Sequence, residues 1–402
     1  MAKSQGINKK VSYLKESTWG DIAGPAGAKQ IRRITADFNL SKDTYQSEEL
    51  RTDYQLADQR HGVRSADGSL NGELSAGTYS DFLGSVLAKD FAVGATVASA
   101  SITIAASGTN FTITRSTGSY ITDGIKVGTV VRLTGAGLNA ANVGNNFLVI
   151  SVTALVLTVK CLSATTPVAE GPIATVAVTT TGKQSYIPQS GHTDDSYTIE
   201  QWYSDILQSE VFTGVKVGTA ALQLPSTGIV TTDFTFMGKD LTQSGTSEYF
   251  TTPTVANTNG IFTAVNGALI INGSEAACIT DASLSIDRTM EPAQCLGSNS
   301  NSDIFVSTIN VTGSFSAYFG DATLRNYFDN ETAVTLVIAV TSGTEKNADV
   351  MSFVLPKIKL SNFSNADAAT GIVSSLDFTA LLNNVTSAGL IDSTILIQDT
   401  SL

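Results

Sequence analysis

The sequence has few of the residues that catalysis and metal binding commonly use. Its 402 residues include two histidines and three cysteines, and only 15% of the chain is charged. The motifs GxSxG, GxxxxGK[ST], HExxH and GxGxxG after a strand are all absent. His61 and His192 lie in polar stretches, and the acidic pair Asp194 and Asp195 lies in a polar loop where we expect solvated surface. We therefore expect no enzyme and no cofactor or metal.

The cysteines and the apolar runs argue against a disulfide-bonded secreted protein and against a protein with a membrane-spanning helix. Cys161, Cys278 and Cys295 are odd in number and lack metal-ligand spacing, so we interpret them as packed residues. A Cys278 to Cys295 bridge is conceivable, but the opening MAKSQGINKK lacks the apolar stretch of a secretory signal. The most apolar run, LVISVTALVLTV from Leu148, is too short and hydroxyl-rich for a helix that spans a bilayer. We expect no membrane span.

Basic residues are too few for a protein that grips nucleic acid through its phosphates. The formal net charge is −12, whereas such binding requires clustered lysine and arginine. Residues 1–33 carry a local charge of +5 and the rest of the chain −17, so a basic arm precedes an acidic body. We predict that the arm contacts an acidic patch of a neighbouring subunit, and the candidate contacts are Lys9, Lys10, Lys15, Lys29, Arg32 and Arg33. A solvated tail is the alternative.

Short runs of valine, isoleucine and threonine, separated by glycine, asparagine, aspartate and serine, dominate the chain. In ITADFNLSK, Ala36, Phe38 and Leu40 alternate with polar residues, which is typical of a half-buried strand. The segments TYSDFLGSVLAK and DATLRNYFDN instead have the spacing of short amphipathic helices. The sequence predicts an all-β protein with short helices.

Two patterns occur twice, and the copies are unequally spaced. GSLNGELS with Gly72 resembles NVTGSFSA with Gly313, 241 residues later, and GIVTTDFTF from Gly228 resembles GIVSSLDFT from Gly371, 143 residues later. The first copy therefore holds 98 more residues than the second. Residues 91–181 contain four basic and two acidic residues and six short strand-like runs, which is typical of a small barrel or sandwich. We interpret them as an insertion into the first of two related modules.

This comparison predicts a division of the chain into six parts. Residues 1–30 form an N-terminal arm, 31–90 with 182–241 the first module, and 91–181 an inserted β domain. Residues 242–276 connect the modules, 277–390 form the second module and 391–402 a C-terminal tail.

Several segments together resemble the tail tube proteins of long-tailed bacteriophages. They are VSYLKESTWGD, ITADFNLSKD followed by an arm and GSLNGELSAGTYSDFL, LSIDRTMEPAQCLGSNS, and NVTGSFSAYFGD. The resemblance covers roughly residues 11–90 and 182–390 and does not cover the insert. It implies two tandem tail-tube-like β-sandwich modules, each with a flanking helix and a long hairpin, plus the inserted small β-barrel or sandwich domain.

The resemblance also implies a role and partners. Members of the family stack as rings around a channel through which the genome is ejected. Because six modules form a ring, a duplicated chain implies a homotrimer with pseudo-sixfold symmetry, other tail proteins at the tube ends, and double-stranded DNA passing without specific binding. Localisation would be the virion tail, after assembly in the host cytoplasm. An insert of this size would collide with a contractile sheath, so we predict an outward-pointing domain on a non-contractile tail, dispensable for tube assembly.

Two other classes remain open at this point. One is a surface adhesin or carbohydrate-binding β protein, which would carry a secretion signal and an exposed aromatic cluster. The other is a viral capsid or decoration protein, which shares the low charge and β-rich composition.

Overall fold

The computed structural model describes residues 3–275, 279–366, 371–385 and 389–402. Over these residues the protein is all-β, with twenty-four strands and two α-helices of seven residues each. None of the described helices is long and apolar enough to cross a membrane. Cys278 lies outside the described residues, and Cys161 and Cys295 are free thiols.

The elements up to the end of the inserted segment follow in chain order. The first part of module one contains β1 (Lys9–Lys15), β2 (Lys29–Gln30), β3 (Thr35–Gln46), β4 (Gln59–Glu73) and α1 (Ser80–Val86). Then come β5 (Ala92–Val93), β6 (Thr96–Ser107), β7 (Asn110–Arg115), β8 (Val130–Thr134), β9 (Phe147–Val152), β10 (Val156–Cys161), β11 (Glu170–Thr180) and β12 (Lys183–Tyr186).

The remaining elements complete module one and build module two. Module one continues with β13 (Tyr197–Tyr203), β14 (Gln208–Leu224), β15 (Thr231–Gly238) and β16 (Asp240–Gly245). Module two contains β17 (Gly267–Ile271), β18 (Ser274–Glu275), β19 (Ile279–Ala293), β20 (Asp303–Tyr318), α2 (Thr323–Asp329), β21 (Val334–Thr341), β22 (Val350–Asn365), β23 (Val373–Ala380) and β24 (Leu396–Asp399). Short 3₁₀ turns occur at Gly6–Asn8 and Ala264–Asn266.

One antiparallel sheet of eight strands runs through both modules, and we call it the long sheet. Its order is β3, β4, β15, β14, β19, β20, β23, β22. Each module adds an outer sheet, in the order β2, β1, β13, β14, β16 for the first and β18, β17, β21, β22, β24, β12, β5 for the second. The long strands β14 and β22 belong to both layers, so each module is a β-sandwich.

Alternating apolar residues on the facing sheets form one continuous core. In β15, Thr232, Phe234 and Phe236 are buried, while the residues between them are more exposed. This alternation is what a sheet with one buried face requires. The aromatic and aliphatic residues of both modules pack into a single cluster.

The insert is a separate closed barrel of six strands with its own core, in the order β10, β7, β6, β11, β8, β9. It packs on the outer sheet of module two, where Val130 and Leu148 of the barrel meet Val337 and Val354. Strand β21 is therefore buried on both faces, with Ile338 in the sandwich core and Val337 against the barrel.

The two modules match strand for strand, with a register that differs from the one inferred from the sequence. Gly68 pairs with Phe236, and Gly313 pairs with Phe378, so the counterpart of Gly313 is Gly68. The prediction that it is Gly72 is wrong by four residues. A side chain at Gly68 or Gly72 would strike the ring of Phe38 or Tyr79, so β4 needs two glycines and the pattern match selected the other one.

The corrected register changes the size of the interruption. Gly68 and Gly313 are 245 residues apart, whereas Phe236 and Phe378 are 142 apart. The first module therefore holds 103 additional residues at this point of the sandwich.

Candidate assembly interface

The long sheet has two open edges. Within the described ranges, β3 pairs with β4 alone, and the segment of β22 from Lys359 to Asn365 pairs with β23 alone. Unpaired N–H and C=O groups along an exposed strand are a template for pairing with another chain. The two edges lie at opposite ends of the sheet, so one chain offers both halves of a head-to-tail contact.

The contact between the two modules, which we call the internal joint, shows how such edges fit together. Strand β14 of module one pairs with β19 of module two over six residue pairs, from Thr219 with Asp287 to Leu224 with Ala282. The side chains of Leu222, Leu284 and others along this joint are buried in the common core. The modules are thus held together by a continuous ladder and shared apolar burial.

The open edges carry the counterparts of that joint. Strand β22 corresponds to β14. The pairing of β14 with β15 shifts register after Val217, and the pairing of β22 with β23 shifts register after Leu360. Strand β3 corresponds to β19, and both shift after the basic residue Lys42 or Arg288. The surfaces at the two ends therefore repeat the two sides of the internal joint.

The two helices differ in the way this arrangement predicts. Five residues of α1 are buried, from Phe82 to Val86, whereas no residue of α2 is. Residues of module two help to bury α1, since the guanidinium of Arg288 donates to the Ser85 carbonyl at 3.1 Å. The matching side of α2 lies next to the open edge of β22 and has no such cover among the described residues.

A cluster of four charged residues lies at the internal joint. The Asp194 carboxylate accepts from Lys216 Nζ at 2.7 Å and from Arg288 Nη2 at 2.9 Å, and Asp303 Oδ1 is 3.6 Å from Lys216 Nζ. Lys216 also donates to the Ile304 carbonyl at 2.9 Å. The side chains of Lys216 and Arg288 are only 2% and 4% exposed, so their charges depend on these partners.

The expectation of a solvated loop surface holds for Asp194, whose side chain is 54% exposed, and is wrong for Asp195. Asp194 bridges two buried cations, and Asp195 is itself buried and pairs with Lys15 at 2.7 Å. Their partners lie far away in the sequence, and folding alone brings them together.

The face of the long sheet that points away from the core is acidic, and we call it the acidic face. Its side chains alternate with the core residues of the eight strands and include seven carboxylates: Asp37, Asp67, Glu73, Asp233, Asp281, Asp287 and Asp377. The other positions on this face hold mainly serine, threonine and asparagine. Two lysines also have this orientation: Lys216, opposite Met237, is buried, and Lys359, opposite Thr379, lies on the open edge strand β22. Lys9 approaches from the rim, 3.5 Å from Asp37.

The N-terminal arm is built into its own chain. Val11 and Tyr13 of β1 are buried, and β1 pairs with β13 along its whole length. Lys9 Nζ donates to the Ala36 carbonyl at 2.6 Å. Burial lowers the pKa of Lys9, although the neighbouring Asp37 partly offsets this effect.

Lys15 pairs with two carboxylates, Asp195 at 2.7 Å and Asp90 at 3.3 Å. Burial acts to lower the pKa of Lys15, but the hydrogen bond and charge of Asp195 outweigh it, so this pKa is raised. Burial also raises the pKa of Asp195, against the pull of Lys15.

The other four arm residues also have partners within the chain. Lys29 pairs with Asp81 at 2.7 Å, Arg32 donates to the Asn259 carbonyl at 2.8 Å, and Arg33 donates to the Lys9 carbonyl. Lys10 is the least engaged, half exposed and 4.0 Å from Glu248. That these six groups contact a neighbouring subunit stays a prediction.

The remaining candidates for chemistry are dispersed. His61 and His192 are exposed, and over the described ranges no three of His, Cys, Asp and Glu are grouped to hold a metal ion. The charged and unpaired polar groups described above are grouped instead at the open edges, the acidic face and the internal joint.

The chain is similar to a known protein family over most of its length. A family model described as "Phage tail tube protein" matches residues 6–380. No curated protein matches the chain.

Proposed function

The chain belongs to the phage tail tube protein family, and we propose that it polymerises as stacked rings into the hollow tail tube that conducts the viral genome into the host. Membership of the family makes it a structural component of the phage tail. The finer points below concern how this chain builds a tube.

The acidic face is the observation that carries the proposal. A wall rich in lysine and arginine would hold DNA through counterion release, whereas a wall of hydroxyl, amide and carboxylate groups repels phosphates. Seven carboxylates line one face of a continuous sheet, where Lys216 is buried and Lys359, at the open edge, pairs with Glu331. Such a face suits the lining of a channel through which double-stranded DNA passes without specific binding. We assign the eight strands of the long sheet to that lining.

The two open edges support closure of a ring. Head-to-tail contacts between β22 of one subunit and β3 of the next form a ring if the rotation closes. Each chain supplies two modules, so three chains give a pseudo-sixfold ring in which every lateral edge is paired. A closed barrel removes the free edges that would otherwise promote aggregation.

The internal joint gives the register of the contact between subunits. Ala221 lies opposite Ser285 at the joint, and their counterparts are Ser364 on β22 and Asn39 on β3. We therefore place Ser364 of one subunit opposite Asn39 of the next. Directly opposed residues of antiparallel strands lie about 4.5–5.5 Å apart between Cα atoms, which suits a disulfide.

The test is oxidative cross-linking of an Asn39→Cys, Ser364→Cys variant whose native cysteines are replaced by serine. Assembled protein should give covalent dimers and trimers on a denaturing gel and nothing larger, and each single-cysteine variant should give at most dimers at low yield. A ladder that reaches six chains would refute the trimeric ring. Absence of cross-links in rings seen by electron microscopy would refute the edge contact.

The inserted barrel is proposed to face outward. It packs on the outer sheet of module two, whose other face contacts the core, so two β layers separate it from the acidic face. A projecting barrel on every subunit leaves no room for a sheath, which favours a non-contractile tail. We further propose other tail proteins at the tube ends, a virion location and assembly in the host cytoplasm.

The division of the chain is also retained as a proposal, with the described strands added to it. Strand β1 lies in the arm 1–30, β17 and β18 lie in the connection 242–276, and β24 lies in the tail 391–402. All of them pair with strands of a sandwich, so these three segments contribute to the modules 31–90 with 182–241 and 277–390.

A further inference from the structure

The charged cluster at the internal joint has a second, incomplete copy in the chain. At the joint, Asp194 and Lys216 of module one meet Arg288 and Asp303, which belong to the hairpin of β19 and β20. Two acids and two bases thus come together, one of each sign from either side.

The counterparts on the module-two side follow from the strand registers. Tyr197 pairs with Val215, and Val334 pairs with Ile358. A lysine follows Val215 in β14 and Ile358 in β22, namely Lys216 and Lys359. An acidic residue lies three positions before Tyr197 of β13 and before Val334 of β21, namely Asp194 and Glu331.

The counterparts on the hairpin side are equally well determined. Lys42 pairs with Arg64 before the register shift in β3, as Arg288 pairs with Ile309 before the shift in β19. On the opposite strands, Asp58 precedes β4 by one residue and takes the place of Asp303. All four positions keep the sign of their charge, and they are Glu331, Lys359, Lys42 and Asp58.

Half of this second cluster is already formed. Lys359 Nζ is 3.4 Å from Glu331 Oε2, which repeats the Lys216 to Asp194 pair, but the Lys359 side chain is 43% exposed where that of Lys216 is 2% exposed. Lys42 and Asp58 are exposed on the hairpin at the opposite edge, where Lys42 makes no ion pair with the described residues and Asp58 pairs only with nearby Arg60. The two halves are too far apart along the sheet to meet within one chain.

We propose that Glu331 and Lys359 of one subunit bind Lys42 and Asp58 of the next subunit in the ring. The partner is a second copy of this chain, and the inference rests on the edge contact proposed above. Pairing of β22 with β3 would place the hairpin of β3 and β4 against β22 and α2, as the hairpin of β19 and β20 lies against β14 and α1. The contact would bury the lysines, as the joint buries Lys216 and Arg288, so the pairing of their charges should decide whether subunits join.

Charge reversal and its repair test the proposal. Lys42→Glu leaves the intersubunit cluster with three acids and one base, and Glu331→Lys leaves it with three bases and one acid. Each should raise the concentration needed for assembly at least tenfold, while the double variant, with two charges of each sign, should return to within about threefold of the unmodified chain. Lys126→Glu in the inserted barrel makes the same change of charge away from both edges and serves as the control.

The readout is the concentration dependence of ring and tube formation, measured by sedimentation and electron microscopy at low and high salt. Because all the substituted side chains are solvent accessible, circular dichroism and thermal melting of the unassembled subunits should match the unmodified chain. Assembly of both single variants at the control concentration would overturn the cluster, and so would failure of the double variant to recover. If the unmodified chain forms no rings, the proposed function itself fails.

Discussion

The inserted barrel can be removed at a point that the structure makes unusually favourable. Strands β5 and β12 flank it and pair with each other, Val93 opposite Lys183 and Ala92 opposite Gln184. Replacing residues 94–182 by Asn-Gly would close these strands as a two-residue hairpin, because that dipeptide suits the required turn. The hairpin would remain attached to module two through β24.

The magnitude of the effect follows from what the barrel covers. Its removal uncovers five large apolar side chains of module two that are at most 2% exposed: Ile270, Val337, Val350, Val354 and Leu396. At roughly 1.5 kcal/mol for each side chain that becomes exposed, the loss of stability is about 7.5 kcal/mol. This is comparable with the total stability of an ordinary domain, about 5–15 kcal/mol.

We therefore expect the plain deletion to aggregate or to unfold at much lower urea concentration than the full chain. Adding Val337→Thr and Val354→Thr, which keep the β-branched shape but accept solvent, should restore solubility. That second variant should form tubes of normal width in electron micrographs. A plain deletion as soluble and stable as the full chain would refute the packing argument, and a soluble resurfaced variant without tubes would refute dispensability.

Three further predictions concern the charged residues. Asp194→Ala should lower the free energy of unfolding by about 3 kcal/mol, because it leaves two buried cations without their shared carboxylate. Lys216→Met should lower it by at most about 1 kcal/mol, because Asp194 is half exposed and keeps its pairing with Arg288. Urea unfolding of the unassembled subunit measures both, and the opposite order would contradict the account. Lys10→Glu is the cleanest test of the arm, since the carboxylate nearest to Lys10 is 4.0 Å away. Because we predict that the arm contacts a neighbouring subunit, the concentration needed for assembly should rise about tenfold, and an unchanged concentration would contradict that contact. Asp233→Lys with Asp377→Lys should leave tubes intact but make DNA release slow and dependent on salt, with the matching Asn variants as controls; ejection at the normal rate would argue against an acidic lumen.

Local patterns in the sequence predict the elements of this fold well. The alternation of Ala36, Phe38 and Leu40 gives β3, and the same alternation at Ala282, Leu284 and Ile286 gives β19. These patterns are reliable because each strand buries one face against the common core. The barrel strands follow for the same reason.

Register and long-range pairing could not be predicted in the same way. The choice between Gly68 and Gly72 depends on which ring lies over each glycine, which is known only once β3, β4 and α1 are packed. The run VSYLK in β1 is too short to predict a strand from its sequence alone. Its pairing partner β13 lies more than 180 residues away. Sequence position therefore says little about which chain the arm contacts.

The charged cluster shows the same limit at the candidate site. Asp194, Lys216, Arg288 and Asp303 span more than 100 residues, and each is unremarkable alone. Only the strand registers show that Glu331, Lys359, Lys42 and Asp58 repeat the same signs. The signal was present in the sequence, but it could be found only with the corrected alignment of the two modules.

The mass of a single ring tests the central claim most directly. Native mass spectrometry of soluble rings, or of rings released from short tubes, should give three times the chain mass of 42.0 kDa, because one chain supplies two of the six modules. A ring of six chains would contradict the account, since each module would then fail to act as one sixth of the wall.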